Sequence, residues 1–153
     1  MATSTLIQKL YAPDESGVGE DSVLVSNRRQ VETFFASEAI SDGDLVCLDI
    51  SKTSNGDKMS FIKKLKTDAG LTAVAIGIAD EAIASGDSGR VVIKGFKAGA
   101  NIATGAAIGE RFIGTSTAGR GDVLANTSTI PALGYVVTTA SANAADVIVL
   151  KQF

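Results

Sequence analysis

The sequence predicts an all-β protein: a compact barrel or sandwich built from two similar β-hairpin repeats and preceded by an extended N-terminal arm. Three observations carry this expectation. Sixteen glycines accompany an aromatic content of only 5% in 153 residues, the composition of short strands joined by tight turns. The glycine clusters fall between short apolar runs. One stretch of the chain also resembles another at a fixed spacing, the mark of a supersecondary unit used twice.

Residues 1–29 stand apart from the rest. They hold Pro13, the turn Gly17-Val18-Gly19 and the acidic pairs Asp14-Glu15 and Glu20-Asp21, with only two short apolar pieces at residues 6–11 and 23–25. A segment this poor in apolar surface reads as an arm that orders on a neighbour rather than as a core element. Residues 30–153 are then the β domain, with repeat one at about 38–96 and repeat two at about 100–153. The order Gln, Val, Glu, Thr, Phe, Phe, Ala at residues 30–36 favours a strand, with a short helix from Asn27 as the alternative. Asn55-Gly56, a pair that tolerates positive φ, predicts a hairpin joining residues 45–50 to 59–62. Two further turns are predicted at Ser85-Gly86-Asp87-Ser88-Gly89 and Ala118-Gly119-Arg120-Gly121. Residues 80–84 are too short to form a major helix.

The repeat shows in the alignment of Gly77 with Gly134, a spacing of 57. At that spacing Ile76 meets Leu133, Val91 meets Ile148, Val92 meets Val149, Ile93 meets Leu150, Lys94 meets Lys151 and Phe96 meets Phe153. Upstream, residues 40–46 echo residues 102–108 at a spacing of 62, which assigns a five-residue difference to a loop. Unpaired strand edges in two such copies are buried most simply by closing into a barrel or sandwich.

Composition also excludes function classes. The chain has no histidine, which removes Ser-His-Asp and Cys-His catalysis, His-ligated zinc and the commonest general base near neutral pH. Cys47, the only cysteine, lies in the apolar run Leu45-Val46-Cys47-Leu48 and reads as a small buried hydrophobe. A formal charge of -3 and a pI near 4.9 give no electrostatic reason to seek nucleic acid or an anionic membrane. No window reaches the length of a bilayer-spanning helix and no export signal is evident, so a soluble protein is expected. Asp42, Asp44, Asp80, Glu81 and Asp87 sit at turns, where carboxylates bond nearby backbone N–H groups; no catalytic pair is assigned. Nothing approaches a calcium loop, and Gly17-Val18-Gly19-Glu20 lacks the context of a phosphate loop. No cofactor or metal is expected. Lys63, Lys64 and Lys66 read as a solvated hairpin edge protected by charge, while Arg28-Arg29 suits a hinge contact to a partner carboxylate. Arg120-Gly121-Asp122 and Asn126-Thr127-Ser128 are three-letter patterns without supporting context.

Residues 30–34, Gln-Val-Glu-Thr-Phe, lead into Glu38-Ala39-Ile40-Ser41-Asp42-Gly43-Asp44-Leu45-Val46. With Gly109-Glu110-Arg111-Phe112-Ile113-Gly114-Thr115-Ser116-Thr117-Ala118-Gly119, then Ala132-Leu133-Gly134-Tyr135 and Val147-Ile148-Val149-Leu150, this text resembles the small head decoration, or cement, proteins of tailed bacteriophages. The resemblance spans residues 30–153 and rests on turns and strands rather than a reactive signature. It implies a non-enzymatic virion protein, made in the host cytoplasm and bound as a homotrimer to the capsid exterior. There it would clamp neighbouring subunits of the major capsid protein, with no nucleic-acid or membrane contact. The arm would supply the capsid-binding residues Leu6, Ile7, Leu10, Tyr11, Arg28 and Arg29. Two other classes remain open at this point: a duplicated barrel binding a carbohydrate or other small ligand, and a small hydrolase working through carboxylates alone.

Overall fold

The computed structural model describes residues 29–66, 75–125 and 131–150. Within them the chain forms β1 (Gln30–Ala36), β2 (Leu45–Leu48), a single helical turn and a half α1 (Asn55–Ser60), β3 (Phe61–Lys64), β4 (Ala75–Ala79), a long β5 (Ser88–Asn101), β6 (Arg111–Gly114), β7 (Gly121–Val123), β8 (Gly134–Val136) and β9 (Ala144–Val149). The strands hydrogen-bond in the order β1-β3-β2-β4-β5-β9-β8-β6-β7, and β1 also pairs with β5. That last pairing closes β1, β3, β2, β4 and the first half of β5 into a five-stranded barrel. The all-β expectation holds, and the arm expected over residues 1–29 lies outside the described residues except for Arg29.

The strand order repeats on the two sides of the β5–β9 pair. On one side run β4, β2 and β3; on the other run β8, β6 and β7, and each group of three is connected alike. The second half of β5 does for the second group what β1 does for the first. It pairs antiparallel with β9, as β1 pairs with β5, and a parallel bridge from Ile102 to Gly121 mirrors the parallel β1–β3 pairing. Two rings of five segments result, residues 30–94 and residues 95–149.

Individual hydrogen bonds recur between the rings. Ser37 N–H donates to Ile62 O at 2.8 Å and Ala103 N–H to Gly121 O at 2.8 Å; Leu65 N–H donates to Leu45 O at 2.8 Å and Leu124 N–H to Arg111 O at 2.7 Å. Gly43 N–H donates to Ala79 O, and Gly109 N–H to Val136 O, at 3.1 and 2.8 Å. The turn before β2 is closed by the Asp44 carboxylate accepting from Ser41 N–H at 2.9 Å, and the turn before β6 by Glu110 accepting from Ala107 N–H at 2.7 Å. Gly43 and Gly109 adopt φ of 83° and 85° at these turns, a region glycine enters without a Cβ clash.

These pairs correct the sequence alignment upstream. Gly43 corresponds to Gly109, a shift of 66, so residues 40–46 match residues 106–112 rather than 102–108. Ile78 faces Val92 while Tyr135 faces Ile148, so β4 matches β8 at the expected spacing of 57 but Val92 matches Ile148 at 56, where the sequence suggested Val149. Gly77 and Gly134 do occupy matching places, for one steric reason. A Cβ on Gly77 would lie 2.1 Å from Val92 O, and one on Gly134 would lie 2.1 Å from Ile148 O, so each glycine lets two strands cross closely.

The hairpin expected between residues 45–50 and 59–62 is present, since β2 pairs antiparallel with β3, but Asn55-Gly56 is not its tight turn: Ser54 accepts from Asp57 N–H and caps α1, whose Met59 the sequence assigned to a strand. The lysines after Phe61 lie beyond the reach of β1, which meets β3 only at Phe61 and Ile62; Lys63 and Lys64 pair with Cys47 and Val46 of β2 on one side alone.

The two cores differ in what fills them. Inside the first ring lie Phe34, Ile40, Val46, Ile62, Ile76, Ile83, Val91 and Ile93. At the matching places of the second ring Phe34, Ile40 and Ile83 become Ala100, Ala106 and Ala140. The room is taken by Leu45, Cys47, Leu65, Ile78 and Val92, which point outward from the first ring into the second core and are at most 2% exposed. Volume is conserved across the joint, as close packing demands.

Gly77→Ala and Gly134→Ala should each cost about 1–3 kcal/mol, the range for forcing extra atoms into a packed site. Gly56→Ala, at an ordinary 3.6 Å from Ser54 Oγ inside a helix, should be neutral or stabilising by up to about 1 kcal/mol. Urea unfolding midpoints check all three, and equal midpoints would contradict the close-crossing argument.

Candidate interaction surface

The polar groups at the joint between the rings form two clusters. Lys97, 6% exposed, donates to Asp42 Oδ1 at 2.7 Å and lies 3.8 Å from Asp80 Oδ1. Asp80 also forms an ion pair with Arg29. Asp44 accepts from Asn101 Nδ2 at 3.0 Å and lies 3.5 Å from Lys64 Nζ. Buried charges are tolerated when paired and hydrogen-bonded in this way, and these acids are engaged at the joint. Among the described residues no cluster of three or more histidine, cysteine, aspartate or glutamate side chains is placed to hold a metal ion. No helix among them is long and apolar enough to cross a membrane.

Arg29 marks where the N-terminal segment meets the barrel. The sequence offered it a partner's carboxylate; the structure gives it Asp80 of its own chain, which ties the base of the segment to the joint. Leu6, Ile7, Leu10, Tyr11 and Arg28 lie outside the described residues.

Lys63 and Lys64 are likewise engaged from within. Lys63 Nζ lies 3.3 Å from Asp49 Oδ1. Asp49 itself is buried, and burial alone would raise its pKa. Hydrogen bonds from the Ser51 and Ser37 hydroxyls, at 2.6 and 2.7 Å, together with Lys63, outweigh that cost and hold it well below the usual carboxylate range. Asp49 thereby staples the long link carrying α1 to the end of β1. Cys47 shows the opposite effect: burial pushes its thiol up to about 11, leaving it protonated and unreactive at neutral pH. Arg120-Gly121-Asp122 is not displayed on a loop tip, since Gly121 is buried in β7 against Ile102 and Leu45.

Among the exposed residues are several large apolar side chains. On the first ring Phe35 stacks on Phe61 with centroids 5.4 Å apart, Lys52 Nζ lies 4.3 Å over the Phe61 ring, and Ile50 and Met59 project nearby on the α1 link at 55% and 65% exposure. On the second ring a cross-strand row joins Phe96, Ile148, Tyr135 and Arg111, with Ile148 44% and Tyr135 41% exposed. Contiguous exposed apolar residues of this kind mark interaction surfaces. Sequence reasoning missed both patches. The signal was present in Val147-Ile148-Val149-Leu150, where every residue is apolar although a half-buried strand needs only alternate ones.

Asp49→Asn should lower stability by about 1.5–3 kcal/mol at pH 7, the range for hydrogen bonds to a charged group. Because the folded pKa lies below the ordinary 3.8, the carboxylate's contribution is complete above that value and fades as pH falls through the depressed one. The gap between variant and parent should therefore narrow in strong acid. Urea unfolding at both pH extremes measures it, and a gap that stays constant or widens on acidification contradicts the assignment.

No family model and no curated protein sequence matches the chain. Its fold is shared with two solved phage-head structures. One is the N base of the head fiber gp8.5 of bacteriophage phi29, with a TM-score of 0.54 at 18% identity over 80% of this chain and 94% of that one. The other is a chain from the capsid of Myoviridae phage XM1, with a TM-score of 0.57 at 16% identity over 84% of this chain and 86% of that one.

Proposed function

We propose that the protein is a non-enzymatic structural component of a phage virion. It binds the capsid exterior as a homotrimer and stabilises the shell by clamping neighbouring major capsid protein subunits. The observation that carries this reading is the fold shared with a head-fiber base and a capsid chain from two phages, over at least 80% of the chain in each case. The described residues favour it further. Their acids are spent on turns and the joint, the first ring is packed solid with Phe34, Val46, Ile62 and Ile76, and the outer surface carries two apolar patches. These buried side chains occupy the place where the alternative, a barrel that encloses a small ligand, would hold it.

In this reading residues 1–29 are the gripping arm and the two rings, covering repeats at about 38–96 and 100–153, are the rigid body that carries it. Leu6, Ile7, Leu10 and Tyr11 bury their apolar surface on a capsid subunit, with Arg28 and Arg29 at the root. A partner that binds the assembled lattice and not free subunits shifts the balance away from disassembly by mass action. The protein is made in the host cytoplasm and ends on the virion, with no role for nucleic acid or membrane.

Deleting residues 2–22 should leave the thermal melt of the β domain unchanged and greatly reduce co-sedimentation with purified heads. Full occupancy by the truncated protein would reject the arm as the grip.

A further inference from the structure

The joint between the two rings is an interface between like units, and its two sides can be named. The donating side, so called because it inserts side chains into the other core and not for the direction of its hydrogen bonds, belongs to the first ring: the Gly43-Asp44 turn and the outward residues Leu45, Ile78 and Val92. The accepting side belongs to the second ring, around Asn101 and the β6–β7 turn. Leu45 N–H donates to Gly119 O at 2.8 Å, Gly119 N–H to Leu65 O at 2.9 Å, and Asn101 N–H to Gly43 O at 2.9 Å.

A head-to-tail pair of equivalent units leaves one donating side and one accepting side unused. By the correspondences established above, the unused donating side is the Gly109-Glu110 turn with Arg111, Tyr135 and Ile148. The unused accepting side is Phe35, which matches Asn101, with Ser60 and Phe61, which match Gly119 and Arg120. Both coincide with apolar patches already described on the two rings. Leu45, Ile78 and Val92 are fully buried, whereas at the matching places Tyr135 and Ile148 are 41% and 44% exposed. Phe35, 46% exposed, sits where the second ring is covered.

We propose that copies of this chain associate head to tail, the Arg111/Tyr135/Ile148 face of one docking on the Phe35/Phe61/Met59 face of the next. The occupant follows from the molecule itself, in which a donating face already covers an accepting one. The inference deepens the self-association contained in the capsid reading and rests on that part of it. A heterologous contact of this kind closes into a ring when its rotation allows and otherwise extends. It is shallower than the internal joint, because Phe34, Ile40 and Ile62 already fill the first ring where the second ring has alanines and Gly121. The contact between copies is accordingly reversible while the one within the chain is not.

Two full-length variants test it: Tyr135→Ser with Ile148→Lys, which spoils the donating face, and Phe35→Lys with Met59→Lys, which spoils the accepting face. Analytical ultracentrifugation over a concentration series should show association of the parent and a monomer for each variant alone. An equimolar mixture of the two variants should form a dimer and nothing larger, since one good interface survives between them. The combined four-site variant should stay monomeric in any mixture with itself. Variant masses equal to the parent's, a mixture that stays monomeric, or a parent that never associates each overturn the proposal. Near-ultraviolet circular dichroism verifies folding, and Ile148→Thr with Phe35→Thr, which keep strand preference, repeat the mixing test if a lysine variant unfolds. Co-sedimentation of the parent with heads separates the readings. A monomer that co-sediments overturns head-to-tail association alone, and an associating chain that does not co-sediment overturns capsid attachment alone.

Discussion

The structure depends on one piece of packing: the outer wall of the first ring, led by Leu45, is also the inner wall of the second. A Cβ built on Gly121 would lie 3.1 Å from Leu45 Cδ2, 2.7 Å from Ile102 Cδ1 and 3.3 Å from Phe112 Cδ2, which puts the leucine in the centre of the second core. Each fully buried side chain of this wall is worth about 1.5–3 kcal/mol relative to exposure. The alanines at 100, 106 and 140 make sense only against that wall, since a second ring holding them and nothing else would be hollow. The Asp44–Asn101 and Lys97–Asp42 contacts fix the angle at which the rings meet, a specificity that apolar packing alone does not supply.

Both rings have buried apolar cores, Asp42, Asp44, Asp49 and Asp80 are paired with cations, and the single thiol is buried. What remains for partners is a pair of apolar faces, and each is the counterpart of a surface that the molecule has already covered with its own other half. The long link carrying α1 is the main departure from equivalence. The first ring spends residues 49–60 between β2 and β3, the second only residues 115–120 between β6 and β7, and the extra length carries Ile50, Lys52 and Met59 to the surface. Asp49 keeps that addition ordered from beneath.

Much of the architecture was legible in the sequence because the relevant signals are steric and local. Gly77 and Gly134 had to match, since both permit a backbone crossing that no side chain allows. The glycine turns at 85–89 and 118–121 also fell where expected. What the sequence hid was non-local. The parallel pairing of β1 with β3, made through Phe61 and Ile62 just ahead of the lysines, is announced by no local pattern. The match of residue 43 to 109 was obscured because the second copy replaces Asp-Gly-Asp by Ile-Gly-Glu and shares β5 with the first. Asn55-Gly56 was read as a hairpin because its own preference is strong, yet Ser54 and Asp57 on either side supply a helix cap. The exposed patches were missed because apolar strands were credited wholly to a core. The expected site on the arm falls among residues beyond those described, apart from Arg29.

The most direct test of the shared wall is amide hydrogen exchange in Leu45→Ala, a change expected to cost about 2–5 kcal/mol as a large-to-small substitution in a packed core. If the leucine completes the second ring, protection should fall in β6, β8 and β9 at least as much as in its own neighbours β3 and β4. Loss of protection confined to β2, β3 and β4, with the second ring untouched, would contradict the account.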